Sequence, residues 1–142
     1  MKHRHPAKRP RLILIAAAAF GFFLGFLSPA RSAERAFPFD HELLLDAKPM
    51  RGSKRIPSLE IGPNGRTAID LWCNSVEGQI VVVEDTITIM TGQKTDRACP
   101  PERAQGDEEM LAALSEVTNW RREGETLVLI GPKMLRFRPL TN

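Results

Sequence analysis

Cys73 and Cys99 are the only cysteines in the chain and the first candidates for chemistry. A redox-active pair favours close spacing, such as Cys-x-x-Cys, and a cationic neighbourhood. These two lie far apart in the sequence, and Arg97 supplies only the second feature. Zinc sites usually need four ligands, and His41 is the only histidine beyond residue 33. A structural disulfide is therefore the favoured interpretation, and two free thiols or a redox pair are the alternatives.

No other residues have the pattern of a catalytic site. His41 stands between Asp40 and Glu42, and no serine lies in a Gly-x-Ser-x-Gly setting that would make it a nucleophile. The acidic run at 107–109 precedes an apolar helical stretch, and negative charge suits the first turn of a helix. The sequence has no phosphate-loop, metal or nucleotide motif. We therefore predict a protein that is not an enzyme and that uses no cofactor and no metal.

Trp72 and Arg97 are the candidate partner-binding residues. In the alternation of its strand, Trp72 falls on the same face as Asp70, which predicts a place on the polar face at one end of the sheet. An indole there could contact a ligand or partner. Arg97 lies two residues before the second cysteine. Trp120 is predicted to pack under the helix instead. Asn74 and Gly78 are predicted to be structural turn residues, because both tolerate a left-handed backbone.

The first 33 residues have the three parts of a secretory signal peptide. A basic start is followed by an uncharged apolar run at 12–27 and by small residues, with Ala30, Ser32 and Ala33 as candidate cleavage positions. The run is shorter than the roughly 20 residues that a membrane-spanning helix needs. Cleavage is therefore favoured over an uncleaved anchor, which would be the only membrane contact. We expect a periplasmic or secreted protein with a signal peptide at 1–33, a flexible lead-in at 34–40 and one domain at 41–142.

Removal of this segment reverses the sign of the net charge. The chain has 20 basic and 17 acidic residues, and six of the basic residues but no acid lie within 1–33. The remainder carries 14 basic and 17 acidic residues, a net charge of −3 with neutral histidines. Its cations are mixed with acids, as at 121–125. The basic isoelectric point therefore does not indicate nucleic-acid binding.

The elements that must position these residues are mainly strands. Alternating apolar residues, as at 59–61, 87–89 and 135–137, place one side of each strand on a core. The Pro63-Asn64-Gly65 segment predicts a tight primed hairpin turn, and one apolar stripe predicts a short helix near 107–115. Strands are predicted near 41–48, 57–62, 66–72, 76–83, 86–91, 117–122, 125–130 and 134–139. The expected fold is mainly β, a small antiparallel meander barrel with one helix at an end.

Four short segments, in this order, resemble the META domain family, the family of the heat-shock protein HslJ. They are Cys73-Asn74 with Gly78, Thr95 with Ala98-Cys99-Pro100, the helical stretch 110–114, and Leu135-Arg136-Phe137. Trp72, Arg97 and Asp107 depart from the family pattern, which has glycine, methionine and commonly glutamate there. The resemblance covers 41–139 and implies a lipocalin-like antiparallel barrel with one helix. It also implies an exported or envelope-associated bacterial protein linked to stress responses, with no established catalytic residues.

Together these observations predict a non-catalytic exported META-domain protein, a stress-related binding or structural module held by one disulfide. Its partner would be an envelope protein or a small ligand. One alternative is a barrel whose interior holds a small apolar ligand, although the bulky inward residues favour a filled interior. Another is an inhibitor of a secreted hydrolase that presents the loop 91–101.

Overall fold

The computed structural model describes residues 36–140. The predicted signal peptide at 1–33 lies outside the described residues, as do 34–35 and 141–142. Between residues 36 and 140, no helix is long and apolar enough to cross a membrane. The elements, in chain order, are β1 His41–Leu45, β2 Ser58–Ile61, β3 Arg66–Asp70, β4 Ser75–Val83, β5 Thr86–Lys94, α1 Pro101–Ser115, β6 Asn119–Glu123, β7 Thr126–Ile130 and β8 Leu135–Pro139.

The eight strands close into one antiparallel barrel in which consecutive strands are neighbours. β1 pairs with both β2 and β8, so that Leu43 lies opposite Leu59 on one side and Pro139 on the other. The predicted fold, a mainly β meander barrel with one helix, is confirmed. The strand ends differ from the prediction by a few residues, the spread usual at element ends.

The connections alternate between two ends of the barrel, because each strand reverses the direction of the one before. One end has the loop 46–57, the turn 71–74 and the turn 131–134. We call it the disulfide end, since Cys73 lies there. The opposite end has the turns 62–65, 84–85 and 124–125.

The prediction of a primed turn at Pro63-Asn64-Gly65 is wrong. The Gly65 N–H donates to the Gly62 carbonyl at 3.0 Å, and the Gly62 N–H donates to the Arg66 carbonyl at 2.8 Å. Within this loop only Gly65 has a positive φ, +79°. The connection is therefore a type I turn followed by a left-handed glycine. Pro63 gives the reason, because its ring fixes φ near the value of the first central position of a type I turn.

α1 begins at Pro101, more than one turn before the predicted start at 107. Proline suits the first helical position, because its missing N–H would have no partner there and its φ is already helical. The Pro100 carbonyl accepts the N–H groups of Arg103 and Ala104, both at 3.0 Å. The first turn holds Glu102 as its acid. The explanation of the acidic run 107–109 by a first helical turn is therefore wrong.

β5 and β6 form the weakest strand pair of the barrel. Their register has the single pair Thr86 and Asn119, although β5 continues to Lys94. α1 joins these two strands, and Met110 and Leu114 on its inner side belong to the common hydrophobic core. The helix therefore packs on the barrel where the pairing of β5 with β6 ends.

Side chains from all eight strands fill the barrel interior. The strand alternation predicts eight bulky inward positions, and all are buried: Leu59, Ile61, Ile87, Ile89, Leu127, Leu129, Leu135 and Phe137. Each strand contributes at least one core residue that is exposed by 7% or less: Leu43, Leu59, Ile69, Ile80, Ile87, Trp120, Leu127 and Phe137. In an eight-stranded barrel this number of large side chains occupies the axial space.

Candidate functional site

The disulfide end holds the bridge between Cys73 and Cys99. Cys73 lies in the turn between β3 and β4, and Cys99 lies just before α1. Their Cα atoms are 6.1 Å apart, and the bridge spans 26 positions of the sequence. The predicted disulfide is confirmed. It joins the β3–β4 turn to the start of the helix.

Asp107 is completely buried beside this bridge. Its Oδ1 accepts the backbone N–H of Cys73 at 3.0 Å. Its Oδ2 accepts the backbone N–H of Asn74 at 2.9 Å and the side-chain Nδ2–H at 3.0 Å. A buried carboxylate that accepts three N–H groups is a satisfied anion. Asp107 therefore holds the β3–β4 turn against the helix.

Asn74 connects the turn, the bridge, the helix and the segment after β5. Besides Asp107, its Nδ2 lies 3.2 Å from the Cys99 Sγ. Its Oδ1 accepts the Thr95 hydroxyl and the Arg97 backbone N–H, each at 2.9 Å. Asn74 is 3% exposed and its φ is not positive. Its role is structural, but it rests on side-chain hydrogen bonds and not on the predicted left-handed backbone.

Gly78, the other predicted turn residue, lies inside β4. A register shift between Val76 and Gly78 marks a bulge in its pairing with β5. A Cβ atom at Gly78 would lie 2.6 Å from the Met90 carbonyl oxygen. The glycine is therefore explained by a close approach of two strands, and its assignment to a turn is wrong.

Arg55, which no sequence pattern marked as a site residue, holds the same turn from the other side. Its Nη1 donates to the Cys73 carbonyl at 3.2 Å, and its Nη2 lies 3.3 Å from the Asn74 carbonyl. Nη2 also pairs with the Asp70 carboxylate at 2.7 Å. The amides of residues 73 and 74 thus donate to Asp107, while their carbonyls accept from Arg55. These partners are 15 to 19 positions from Arg55, so no local pattern predicts them.

A groove of about 350 Å³ opens next to this turn, between the loop 46–57, α1 and the turn 131–134. A Cβ atom at Gly106 would lie 2.5 Å from the Met50 Cε and 2.7 Å from the Trp72 Cδ1. Both side chains therefore rest on the helix backbone, where only a glycine leaves room for them. Trp72 is half-buried and Met134 is 60% exposed. The large apolar side chains of the lining are Leu45, Met50, Trp72, Met110, Met134 and Leu135.

Other concave regions lie on the outer face of the barrel. One of about 380 Å³ is lined by charged and small residues of β2 to β4, including Glu60, Arg66 and Glu77. Another of about 500 Å³ is lined by small and polar residues such as Ala68 and Gly92. Neither lining includes an aromatic side chain or a methionine. The groove at the disulfide end is therefore the better candidate for a binding site.

The remaining predicted residues lie away from the groove. Arg97 is exposed before Cys99 and is not part of the lining. The exposed loop of the inhibitor hypothesis is shorter than the predicted 91–101, because β5 extends to Lys94 and α1 begins at Pro101. His41 is exposed at the start of β1, and its Nδ1 lies 2.7 Å from a neighbouring backbone carbonyl.

Trp120 is buried in the core rather than at the groove. Its ring meets the ring of Phe37 edge to face, with centroids 5.0 Å apart, and its Nε1 donates to the Glu84 carbonyl at 2.9 Å. Phe37 lies within the predicted flexible lead-in, and it is 8% exposed. The part of the lead-in that the structure describes thus contributes a ring to the core.

Two exposed ion-pair groups have shifted pKa values. Hydrogen bonds from Arg136 and then Arg121 hold the pKa of the Glu123 carboxyl below its ordinary value. A hydrogen bond to Glu108 raises the pKa of Lys94, and this pair joins the end of β5 to α1. Neither titrating group lines the groove. Within residues 36–140, no cluster of His, Cys, Asp and Glu side chains could hold a metal ion.

In a comparison with known families, the META domain profile matches residues 41–139. The chain belongs to the META domain family. The resemblance predicted from the sequence is therefore confirmed over the whole barrel. Asn74, Thr95 and the two cysteines, which carried that resemblance, meet in the network of this META domain.

Solved structures with the same architecture are distant in sequence from this META domain. An NMR structure of a protein from Burkholderia xenovorans is 18% identical, with a TM-score of 0.61, and the match covers 96% of this chain and 99% of that one. A second NMR structure is 20% identical, with a TM-score of 0.57 and coverages of 70% and 88%. These similarities show a shared fold alone. Among curated proteins the chain finds no match.

Proposed function

We propose that this META-domain protein is an exported, non-catalytic module of the bacterial envelope. It binds a partner in the groove at the disulfide end and supports the envelope under stress. The observation that carries the proposal is Trp72, a large aromatic side chain left half-buried in an apolar groove. Its neighbours in the chain, Cys73 and Asn74, are held by the bridge, Asp107 and Arg55. A pre-organised aromatic group of this kind is typical of binding sites.

The filled interior supports binding at the surface rather than inside the barrel. Large buried side chains from every strand occupy the space that an apolar ligand would need. The groove, by contrast, is open to solvent, and its lining residue Met134 is 60% exposed. The alternative of a ligand-holding interior therefore has less support than a partner in the groove.

The side chains that could do chemistry support a non-catalytic role. Asp107 is completely buried, is not part of the groove lining and already accepts three N–H groups, so its carboxylate is not presented to a substrate in the groove. His41 is exposed at the start of β1, which lies at the end of the barrel opposite the groove. The disulfide supports export, because such bridges persist in oxidising compartments.

Site-specific photo-crosslinking in living cells tests the use of the groove. A photoreactive amino acid is placed at Met134, which is 60% exposed in the groove, or at Val83, which is 65% exposed at the opposite end. The two positions are matched in exposure and in apolar character. We expect an adduct, visible as a mass increase, from position 134 only. Equal adducts from both positions, or none from 134, would contradict binding in the groove.

Mass spectrometry of the protein from fractionated cells tests export. We expect a periplasmic or secreted chain whose N-terminus lies near residue 31, 33 or 34 and whose two thiols resist alkylation until they are reduced. A full-length chain in the cytosol with two alkylated thiols would contradict export.

A further inference from the structure

Unpaired cations lie next to the groove, on the loop 46–57 between β1 and β2. This loop has four basic residues and one acid, Asp46. Arg55 is engaged with Asp70 and the β3–β4 turn. Lys48, Arg51 and Lys54 are exposed, and none of them has an ion-pair partner among residues 36–140. The loop thus adds uncompensated positive charge to one side of the groove.

The charged groups in the lining itself are balanced. Asp46 and Glu109 are its acids, and Lys133 and Arg136 are its bases. Arg136 pairs with Glu123, which is outside the lining, and Glu109 accepts a hydrogen bond from Gln105. With Arg136 paired, Lys133 and the three loop cations remain against Asp46 and Glu109, so positive charge is in excess at this end.

The loop is attached to the helix at two points, so that these cations stay near the groove. Met50, in the middle of the loop, rests on Gly106 of α1. The Arg103 guanidinium donates to the Gly52 carbonyl at 2.9 Å. Lys48 lies two residues before this anchored part of the chain, and Arg51 lies within it. An apolar groove is thus bordered by a fixed segment that carries positive charge.

We infer that the groove takes a single-chain anionic lipid, with its acyl chain along Met50, Trp72 and Met134 and its carboxylate or phosphate head among the loop cations. This inference rests on the proposed binding function and names the class of its ligand. The volume of about 350 Å³ lies at the lower end of the roughly 300–1,000 Å³ of small-molecule sites. Charge complementarity selects an anionic head over a neutral or cationic one.

A peptide fits the same groove less well. An extended peptide brings backbone N–H and C=O groups that usually pair with an exposed strand edge. The lining comes from a loop, a helix, two turns and the adjoining ends of β1 and β8. These two strands pair with each other, so the groove offers a peptide no free strand edge there. Methionine side chains, by contrast, adapt to flexible apolar chains.

Titration of the purified mature protein with three twelve-carbon probes tests the inference. The probes are dodecanoate, dodecanol and dodecyltrimethylammonium, each below its critical micelle concentration, and the signal is tryptophan fluorescence. We expect a change from Trp72 with dodecanoate, at least about tenfold weaker binding of the other two probes, and weaker dodecanoate binding at high salt. Trp72→Phe should abolish the change, because Trp120 is buried away from the groove.

Matched variants locate the binding. Met134→Glu places an acid at the mouth of the groove and should weaken dodecanoate binding about tenfold or more. Val83→Glu, the same change at the opposite end, should have no effect. Lys133→Gln should weaken binding by about two- to fivefold, the range of one exposed ion pair. The triple replacement of Lys48, Arg51 and Lys54 by Gln should weaken it by about tenfold.

The outcomes separate this inference from the proposed function. Equal binding of all three probes would overturn the anionic head but leave the groove as a binding site. A crosslinked protein at position 134 with no lipid binding would overturn the inference and support a protein partner. If the protein sediments with anionic phospholipid vesicles but does not bind dodecanoate, the inference of a single bound lipid is overturned, and the ligand is a membrane surface. Binding that Met134→Glu leaves unchanged would overturn the inference as well.

Discussion

Replacement of Asp107 by Ala removes the acceptor of three hydrogen bonds in the buried network. The donors that lose their partner are the N–H groups of Cys73 and Asn74 and the Asn74 side-chain amide, at 2.9 to 3.0 Å from the carboxylate. An unsatisfied buried donor costs about 1–3 kcal/mol. Since Cys73 is only half-buried, water can replace part of one bond. We expect a loss of about 3–6 kcal/mol from a total that is usually about 5–15 kcal/mol.

Urea denaturation with the disulfide intact, followed by circular dichroism, measures this loss. Glu108→Ala is the matched control, because it removes the neighbouring carboxylate on the same helix, which is 67% exposed and pairs only at the surface with Lys94. Its midpoint should stay close to that of the unmodified protein. Asp107→Asn should lose an intermediate amount of unfolding free energy. Its side-chain oxygen still accepts hydrogen bonds, but its NH₂ group, which replaces the second oxygen, faces N–H donors of the turn. A loss below about 1 kcal/mol for Asp107→Ala, the size of one ordinary hydrogen bond, would refute the reasoning.

Three further predictions concern the bridge, the core and one surface ion pair. Cys73→Ser and the double variant with Cys99→Ser should each lose about 3–4 kcal/mol in urea denaturation, because either change breaks the same link; a large difference between them would contradict this. Phe137→Ala should cost about 3–5 kcal/mol, and a cost under about 1 kcal/mol would indicate a roomy interior. The lowered pKa of Glu123 means that its ion pairs stabilise the fold above the ordinary pH of glutamate titration and lose this effect as the pH falls through the folded pKa. An NMR titration should place the Glu123 midpoint below its ordinary value, and Arg136→Gln should raise it; an unchanged midpoint in that variant would show that the Arg136 hydrogen bond is not the cause.

The barrel could be predicted from the sequence because its strands alternate clearly. Leu59 and Ile61, or Leu135 and Phe137, place large side chains on one face with charged residues between them. The strand order follows from the connections, most of which are short and bring successive strands together as neighbours. The sequence predicts the turn at Pro63 in the right place but with the wrong geometry, because Pro63 favours a type I turn whereas Asn64-Gly65 alone favours a primed one.

The network at the disulfide end was mostly missed, for two physical reasons. The apolar stripe predicts a helix start near 107, whereas Pro101 is the signal that marks the true start of α1. Asp107 also shares a helix face with Met110 and Leu114, at i, i+3 and i+7, which was a sign of burial. Arg55 has no such signal, because the partners of its guanidinium all lie 15 to 20 positions away, in residues 70–75.

Methionine methyl NMR tests most directly whether the disulfide end carries the binding site. Of the four methionines within residues 36–140, Met50, Met110 and Met134 line the groove, whereas Met90 is 50% exposed on the outside of β5. Addition of dodecanoate to protein labelled with ¹³C at the methionine methyl groups should shift the three groove resonances and leave Met90 unchanged. A shift of Met90 as large as the others, or no shift of the three groove resonances, would contradict the account.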